Sequence, residues 1–153
     1  MKYIAHRGLF TGPDTESENN PLQIDEAISL GYDCEVDLWI TDGLKLGHDR
    51  AQYSIQDSWL IDKMWIHAKN IEALLWLTST KHTFFWHETD KFTLTSNGYI
   101  WTFPGGELTT QSIMVMPEHA DITLKNTRRV NCYGICSDFV SRIKERDENS
   151  NMW

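Results

Sequence analysis

Short runs of β-branched and aromatic residues recur along the whole chain of 153 residues, and they constrain the fold more than any other feature. Runs of this length, bounded by Gly, Asn, Asp or Pro, are typical of β-strands. Eight such runs are predicted as strands: Lys2–His6, Tyr32–Trp39, Leu44–His48, Met64–Lys69, Thr83–His87, Tyr99–Phe103, Ser112–Met116 and Cys132–Ser137.

Three amphipathic segments between or after these runs are predicted as helices. The first begins with Asn20 as its N-cap, and Gln23 is placed to complete a capping box. The second begins after Asn70, which is also an N-cap residue type, and the third follows Ser137. Beyond the third helix, Lys144–Asn151 is predicted as a charged, solvated tail.

Chain length limits how many helices can accompany eight strands. A complete barrel of eight strand–helix units takes about 250 residues. Three connections contain turn-forming residues and little helical periodicity: Glu88–Gly98, Pro104–Gln111 and Pro117–Asn131. We therefore predict an α/β fold, a single-domain (residues 1–153), compact (β/α)8 TIM-type barrel that lacks several outer helices, mainly in its second half. Such a barrel would expose Phe84 and Trp86, which predicts a homo-oligomer.

Charge and composition restrict the partners and the location. A net charge of −8 repels phosphate backbones and anionic lipid, so we predict neither a nucleic-acid nor a membrane partner. Charged His6-Arg7 interrupts the N-terminus before a signal-peptide core, which predicts a cytoplasmic protein. Cys34, Cys132 and Cys136 lack the paired spacing of a zinc site, so we expect reduced packing residues.

Two acidic residues alternate with apolar residues in the second predicted strand. Period-two alternation places Glu35 and Asp37 on one face, and we expect both carboxylates to point into the barrel. Two buried like charges repel each other, so either one carboxyl is protonated or a cation lies between them. Mg²⁺ or Ca²⁺ is the natural occupant because both ions prefer oxygen ligands. The alternative is a strand with one acid in an internal salt bridge.

Histidines end two of the predicted strands, at the positions where barrel enzymes carry their catalytic residues. His6 and Arg7 end the first run, and His48 ends the third. Two imidazoles there are suited to act as acid and base on opposite sides of one phosphorus, because the unperturbed pKa of a histidine side chain lies near neutrality. The guanidinium of Arg7 has the fork geometry that binds phosphate oxygens. A single histidine at either position would more often be a packing residue.

The order of these motifs resembles that of the glycerophosphodiester phosphodiesterase family, one of the phospholipase-C-like phosphodiesterase barrels. The motifs that match are His6-Arg7-Gly8, Glu18-Asn19-Asn20, Glu35-Val36-Asp37 and His48-Asp49. They cover roughly the first fifty residues. Beyond them the similarity depends on Met64–Asn70 as a fourth strand and Gly134–Asp138 as the closing one.

The resemblance implies a metal-dependent phosphodiester hydrolase for small, glycerophosphodiester-like substrates. It implies acid–base catalysis by His6 and His48 and phosphate binding by Arg7. It also implies that Glu35 and Asp37 hold the divalent ion, which neutralises the phosphate during cleavage.

The chain departs from the family on the fourth strand. The family has an acidic ligand in an E-x-K pattern, whereas this chain has His67-Ala68-Lys69. Alternation sends both side chains inward, so Lys69 is predicted to contact phosphate and His67 to be the third metal ligand. The resemblance also implies that Glu18 lies near the ion. An imidazole ligand favours Mn²⁺ or Zn²⁺ over Ca²⁺. Alternatively, His67 binds no metal, and the two carboxylates and solvent hold the ion. A second hypothesis for the function is a catalytically silent, phospho-ligand-binding barrel.

Further residues at strand ends are predicted to line a substrate pocket. His87 ends the fifth run and Glu88 follows it. Trp39 and Trp101 have rings that either pack in the core or stack on a sugar or base. Asp138 is predicted to cap the last helix rather than to bind substrate.

Overall fold

The computed structural model describes residues 1–119 and 131–149. Its main element is one mixed sheet of ten strands. The strands are β1 Lys2–Ala5, β2 Asp33–Ile40, β3 Leu44–Leu46, β4 Tyr53–Ser54, β5 Met64–Ala68, β6 Thr83–Phe85, β7 Phe92–Leu94, β8 Ile100–Thr102, β9 Ser112–Val115 and β10 Gly134–Ser137. Each of the eight predicted runs contains a strand, and β4 and β7 are additional.

The mixed strand directions and the small number of helices show that the predicted (β/α)8 TIM-type barrel is wrong. Seven strands run parallel in the order β6-β5-β2-β1-β10-β9-β8. Antiparallel pairs join β7 to β8, β3 to β2 and β4 to β3. The described residues contain only three short helices, so the structure is a curled, mostly strand-based half-barrel.

Short connections explain the antiparallel strands. Only Thr41–Gly43 separate β2 from β3, and a parallel return needs a crossover of about a dozen residues or more. The predicted loop Glu88–Gly98 contains β7, which turns back into β8 through Asn97-Gly98, a hairpin signal. Pro104–Gln111 contains no helix, as predicted. Residues 120–130 of the third predicted loop lie outside the described residues.

The helices are α1 Pro21–Ser29, α2 Ile71–Leu77 and α3 Val140–Asn149. Both predicted N-caps are confirmed, because the side chain of Asn20 accepts a hydrogen bond from the amide of Leu22 and that of Asn70 accepts one from Ala73. The predicted capping box is wrong. The Gln23 amide instead donates to the carbonyl of Gly8, 3.3 Å away. None of the described helices is long and apolar enough to cross a membrane.

Helix α3 extends through most of the segment predicted as a solvated tail. The hydroxyl of Tyr3 on β1 donates to the buried carboxylate of Asp147, 2.8 Å away, and Ile143 is fully buried. These contacts hold the helix against the sheet as far as Asn149, while residues 150 and 151 lie outside the described part.

The apolar face of β2 forms part of the main core. Cys34, Val36 and Leu38 are fully buried and belong to one cluster with residues of α1 and α2. All three cysteines are free, as predicted. Because side chains alternate along a strand, Glu35 and Asp37 point to the opposite, concave side of the curled sheet. The sequence correctly predicts this arrangement of the two carboxylates.

Candidate active site

Parallel pairing brings three functional side chains to one end of the sheet. Ala5 on β1 is paired with Cys34 on β2 and with Ser137 on β10. The residues that follow these partners therefore lie side by side: His6, Glu35 and Asp138. On the other side of β2, Asp37 is paired with His67 of β5.

His48 reaches the same place through an antiparallel strand. Leu46 of β3 is paired with Leu38, so the chain continues back along β2. The amide of Gly47 donates to the carbonyl of Asp37, 3.2 Å away, and the Trp39 indole donates to the carbonyl of Gly47. This pairing places His48 Nδ1 3.2 Å from Asp37 Oδ2.

Arg7 connects the two carboxylates to His48. Its backbone adopts φ 51°, and its amide donates to Glu35 Oε2, 3.0 Å away. Its guanidinium donates to Glu18 at 2.7 Å and to His48 Nε2 at 3.1 Å, and Nε lies 3.3 Å from Asp37 Oδ2. Glu18, predicted to lie near the metal, thus holds the guanidinium in place.

Asp37 is surrounded by hydrogen-bond donors. Asn19 donates to Oδ2 at 2.9 Å and accepts from the Asp37 amide at 2.8 Å. The nearest groups to Oδ1 are His67 Nδ1, at 2.9 Å, and Lys69 Nζ, at 3.5 Å. Burial alone would raise the pKa of Asp37, but hydrogen bonds from His48 and His67 and the charge of Lys69 hold that pKa well below its usual range.

The pKa of Glu35 is shifted in the opposite direction to that of Asp37. Burial raises the pKa of Glu35, and the negative charge of Asp37 raises it further, against the charges of His6 and Arg7. His6 differs again. Burial would lower the pKa of His6, but a hydrogen bond with Asp138 and the charge of Glu35 give a net increase. The two carboxylates of β2 therefore differ in the charge state that their surroundings favour.

These side chains line one cavity of about 390 Å³. Its polar wall consists of His6, Arg7, Glu35, Asp37, His48, His67 and Lys69, and the remaining lining residues are Ala68, Phe85, Trp86, His87, Glu88, Trp101, Phe103 and Val115. Comparison of the chain with protein-family models, with curated proteins and with solved structures gives no match. The chemistry of the site is therefore argued from its geometry.

Most of the predicted pocket residues lie in the cavity. His87, Glu88 and Trp101 line it, but Trp39 is absent from the lining because its indole donates to the carbonyl of Gly47, which follows β3. Trp86 is exposed, as expected, and it also lines the cavity. Phe85 and Phe103 line the cavity too and were not predicted. Period-two alternation identifies Phe85, since it lies two residues before His87 on the same face.

Three residues have the donor atoms for a divalent ion. Glu35, Asp37 and His67 each offer one ligand atom, and these atoms all lie within 4.8 Å of one another. Two oxygens and one imidazole nitrogen suit Mn²⁺ or Zn²⁺. A cation beside Glu35 would also offset the burial and like-charge repulsion that raise its pKa. The residues present therefore fit a metal ion. Glu18 does not belong to this set.

Proposed function

We propose that the chain is a phosphodiester hydrolase, related to the glycerophosphodiester phosphodiesterases, that cleaves small diesters with the help of a divalent metal ion. One observation carries the proposal. A single cavity is lined by the imidazoles of His6 and His48, by the Arg7 guanidinium and by the carboxylates of Glu35 and Asp37. Acid–base groups, a phosphate-binding cation and oxygen ligands for a metal are the groups that hydrolysis of a phosphodiester requires.

The cationic side chains bind the substrate phosphate in this proposal. Arg7 is held by Glu18 at 2.7 Å, so its guanidinium is already oriented before substrate arrives. Lys69 lines the same cavity and adds a second positive charge. Both charges stabilise the extra negative charge that develops on the phosphate oxygens during cleavage.

The hydrogen bonds of His48 support its role as the base. A guanidinium only donates hydrogen bonds, so His48 Nε2 accepts from Arg7 and the ring proton lies on Nδ1, facing Asp37. Nε2 exchanges its hydrogen bond from Arg7 for the proton of the attacking hydroxyl, which belongs either to water or to the substrate. As the new P–O bond forms and the old one breaks, His6, protonated on both ring nitrogens, gives its Nε2 proton to the leaving oxygen.

Glu35, Asp37 and His67 would hold the metal ion. When bound, the ion supplies positive charge that neutralises the phosphate. Mg²⁺, Ca²⁺, Mn²⁺ and Zn²⁺ are the candidates. The substrate in this proposal is a small molecule handled in the cytoplasm, with neither a nucleic acid nor a membrane as partner.

Turnover of a substrate panel tests the proposal. Purified protein is incubated with each of the four metals and with glycerophosphodiesters that carry choline, inositol, glycerol or a nucleoside. We expect phosphorus NMR to show a phosphomonoester with at least one combination of metal and substrate. If a substrate hydroxyl attacks, a transient cyclic phosphate should also be seen. Absence of product from every combination would overturn the proposed hydrolase.

Binding of a metal should also stabilise the fold. An ion at about 100 times its Kd adds roughly 2.7 kcal/mol to the free energy of unfolding, which raises the melting temperature by about 5–10 °C in a chain of this size. Differential scanning fluorimetry measures this shift. Glu35→Gln should abolish it, whereas Glu26→Gln, the same change at an exposed position on α1, should keep it. An equal shift in both variants would contradict the assigned ligands.

A second candidate function is binding of a phosphorylated ligand without catalysis. The observation that favours it concerns His67, whose two ring nitrogens already lie 2.9 Å from Asp37 Oδ1 and 3.2 Å from the carbonyl of His87. If neither nitrogen gives up its hydrogen bond, His67 cannot be a metal ligand. Thermal stabilisation by phosphodiesters, without product, would select this function over hydrolysis.

A further inference from the structure

We propose that Asp138 is a positioning residue for His6 and holds the imidazole with Nε2 towards the cavity. The role in turnover rests on the proposed hydrolase function, whereas the orientation of the ring does not. The sequence assigns Asp138 to the cap of the last helix, and the structure contradicts that assignment. Ser137 Oγ, and not the carboxylate of Asp138, accepts the hydrogen bond from the amide of Phe139 before α3.

Direct contact carries the proposal. Asp138 Oδ1 lies 2.8 Å from His6 Nδ1, and the exposed fraction of Asp138 is 6%. An ionised carboxylate only accepts hydrogen bonds, so the ring proton lies on Nδ1. Nε2 is then left on the other side of the ring, 4.0 Å from Glu35 Oε2.

The backbone and a second carboxylate hold Asp138 in place. Pairing of Ala5 with Ser137 fixes the strand that carries Asp138 beside the strand that carries His6. The Asp138 amide donates to Glu118 Oε1 at 3.3 Å, and Ser137 Oγ donates to both oxygens of Glu118, at 2.9 and 3.0 Å. The segment that carries the Asp138 carboxylate is thus held in place by strand pairing and by Glu118.

His48 shows the same arrangement independently. Its Nδ1 faces the carboxylate of Asp37, and its Nε2 faces the guanidinium of Arg7. His6 and His48 therefore each have a buried carboxylate on Nδ1. A carboxylate on the far nitrogen fixes both the tautomer and the ring orientation of a catalytic histidine.

The first test reads the tautomer of His6 without any substrate. Nitrogen-15 NMR of the imidazole, at a pH where the ring is neutral, should show the proton on Nδ1 in the wild type. In Asp138→Ala we expect a mixture of tautomers, whereas Asp147→Asn, a change at a buried aspartate that hydrogen-bonds to Tyr3, should leave the His6 signals unchanged. Unchanged signals in Asp138→Ala would overturn the proposal. The isosteric Asp138→Asn replaces Asp138→Ala if the alanine variant does not fold.

The second test is a double-mutant cycle on turnover. Asp138→Ala should lower kcat by roughly 100-fold with little change in KM, because general acid–base catalysis contributes about 10²–10⁴-fold. In a His6→Ala background the same change should cost nothing further, since a residue that acts through His6 has nothing left to orient. An equal loss in both backgrounds would show a merely structural role. A wild type without turnover refutes the hydrolase, while the NMR result still decides the role of Asp138.

Discussion

Asp37→Asn is expected to lower the free energy of unfolding by about 3–5 kcal/mol, the cost of removing one partner from a buried ionic network. Glu35→Gln, two residues earlier on the same strand, is expected to raise it. The carboxylate of Asp37 is the shared partner of Arg7, His48 and Lys69, and these groups lose their anion when it is neutralised. Neutralising Glu35 instead removes a buried charge that is repelled by Asp37.

Urea denaturation at pH 7 in the presence of a chelator measures both effects. Glu26→Gln is the matched control for a glutamate that is exposed, and we expect it to leave the stability within about 0.5 kcal/mol of wild type. Destabilisation by both Asp37→Asn and Glu35→Gln would contradict the view that folding stabilises the charge of Asp37 and disfavours that of Glu35.

The pH dependence of the two variants should also be opposite. The pKa of Asp37 is lowered on folding, so its contribution to stability is complete above the ordinary pKa of about 4 and is lost as the pH falls from there through the lower pKa of the folded state. The pKa of Glu35 is raised on folding, so its penalty grows as the pH rises above the ordinary value of about 4.3. The gain from Glu35→Gln should therefore be absent near pH 3 and largest near neutrality.

His48→Ala is expected to reduce kcat/KM for phosphodiester cleavage by about 10²–10⁴-fold, because it removes the group that accepts the proton of the attacking hydroxyl. The side chain of His48 is 33% exposed and carries little of the core, so the variant should fold. Steady-state kinetics with the best substrate of the panel measures the loss, and circular dichroism checks the fold.

His82→Ala is the matched control, because His82 pairs with Asp57 and is not part of the cavity lining. Its kcat/KM should stay within about two-fold of wild type, which corresponds to less than 0.5 kcal/mol. If His48→Ala retains the activity of His82→Ala, His48 is not the base.

Local patterns predict much of the site correctly. Alternation along β2 separates Glu35 and Asp37 from the apolar residues between them, and the same alternation sends His67 and Lys69 towards the cavity. The two asparagine N-caps are likewise properties of a few consecutive residues. Such features depend on backbone geometry over one strand or one helical turn, so a single segment contains the information.

Sequence reasoning fails at residues whose side chains suit a local role but bind a partner in another segment. Gln23 has the spacing of a capping box, yet it donates to Gly8. Trp39 has the ring of a pocket residue, yet its indole holds the turn before His48. In both cases a partner from another segment offers the better hydrogen bond, and nothing within the local pattern identifies that partner.

The sequence by itself determined eight of the ten strands and the three described α-helices, and which carboxylates and histidines face away from the apolar core. Only the tertiary structure decided that β3 returns antiparallel beside β2 and that Asp138 meets His6 across 132 positions of the chain. The physical reason is that alternation and capping act between neighbouring residues. Strand order and register instead depend on which distant segments pair and how much chain connects them.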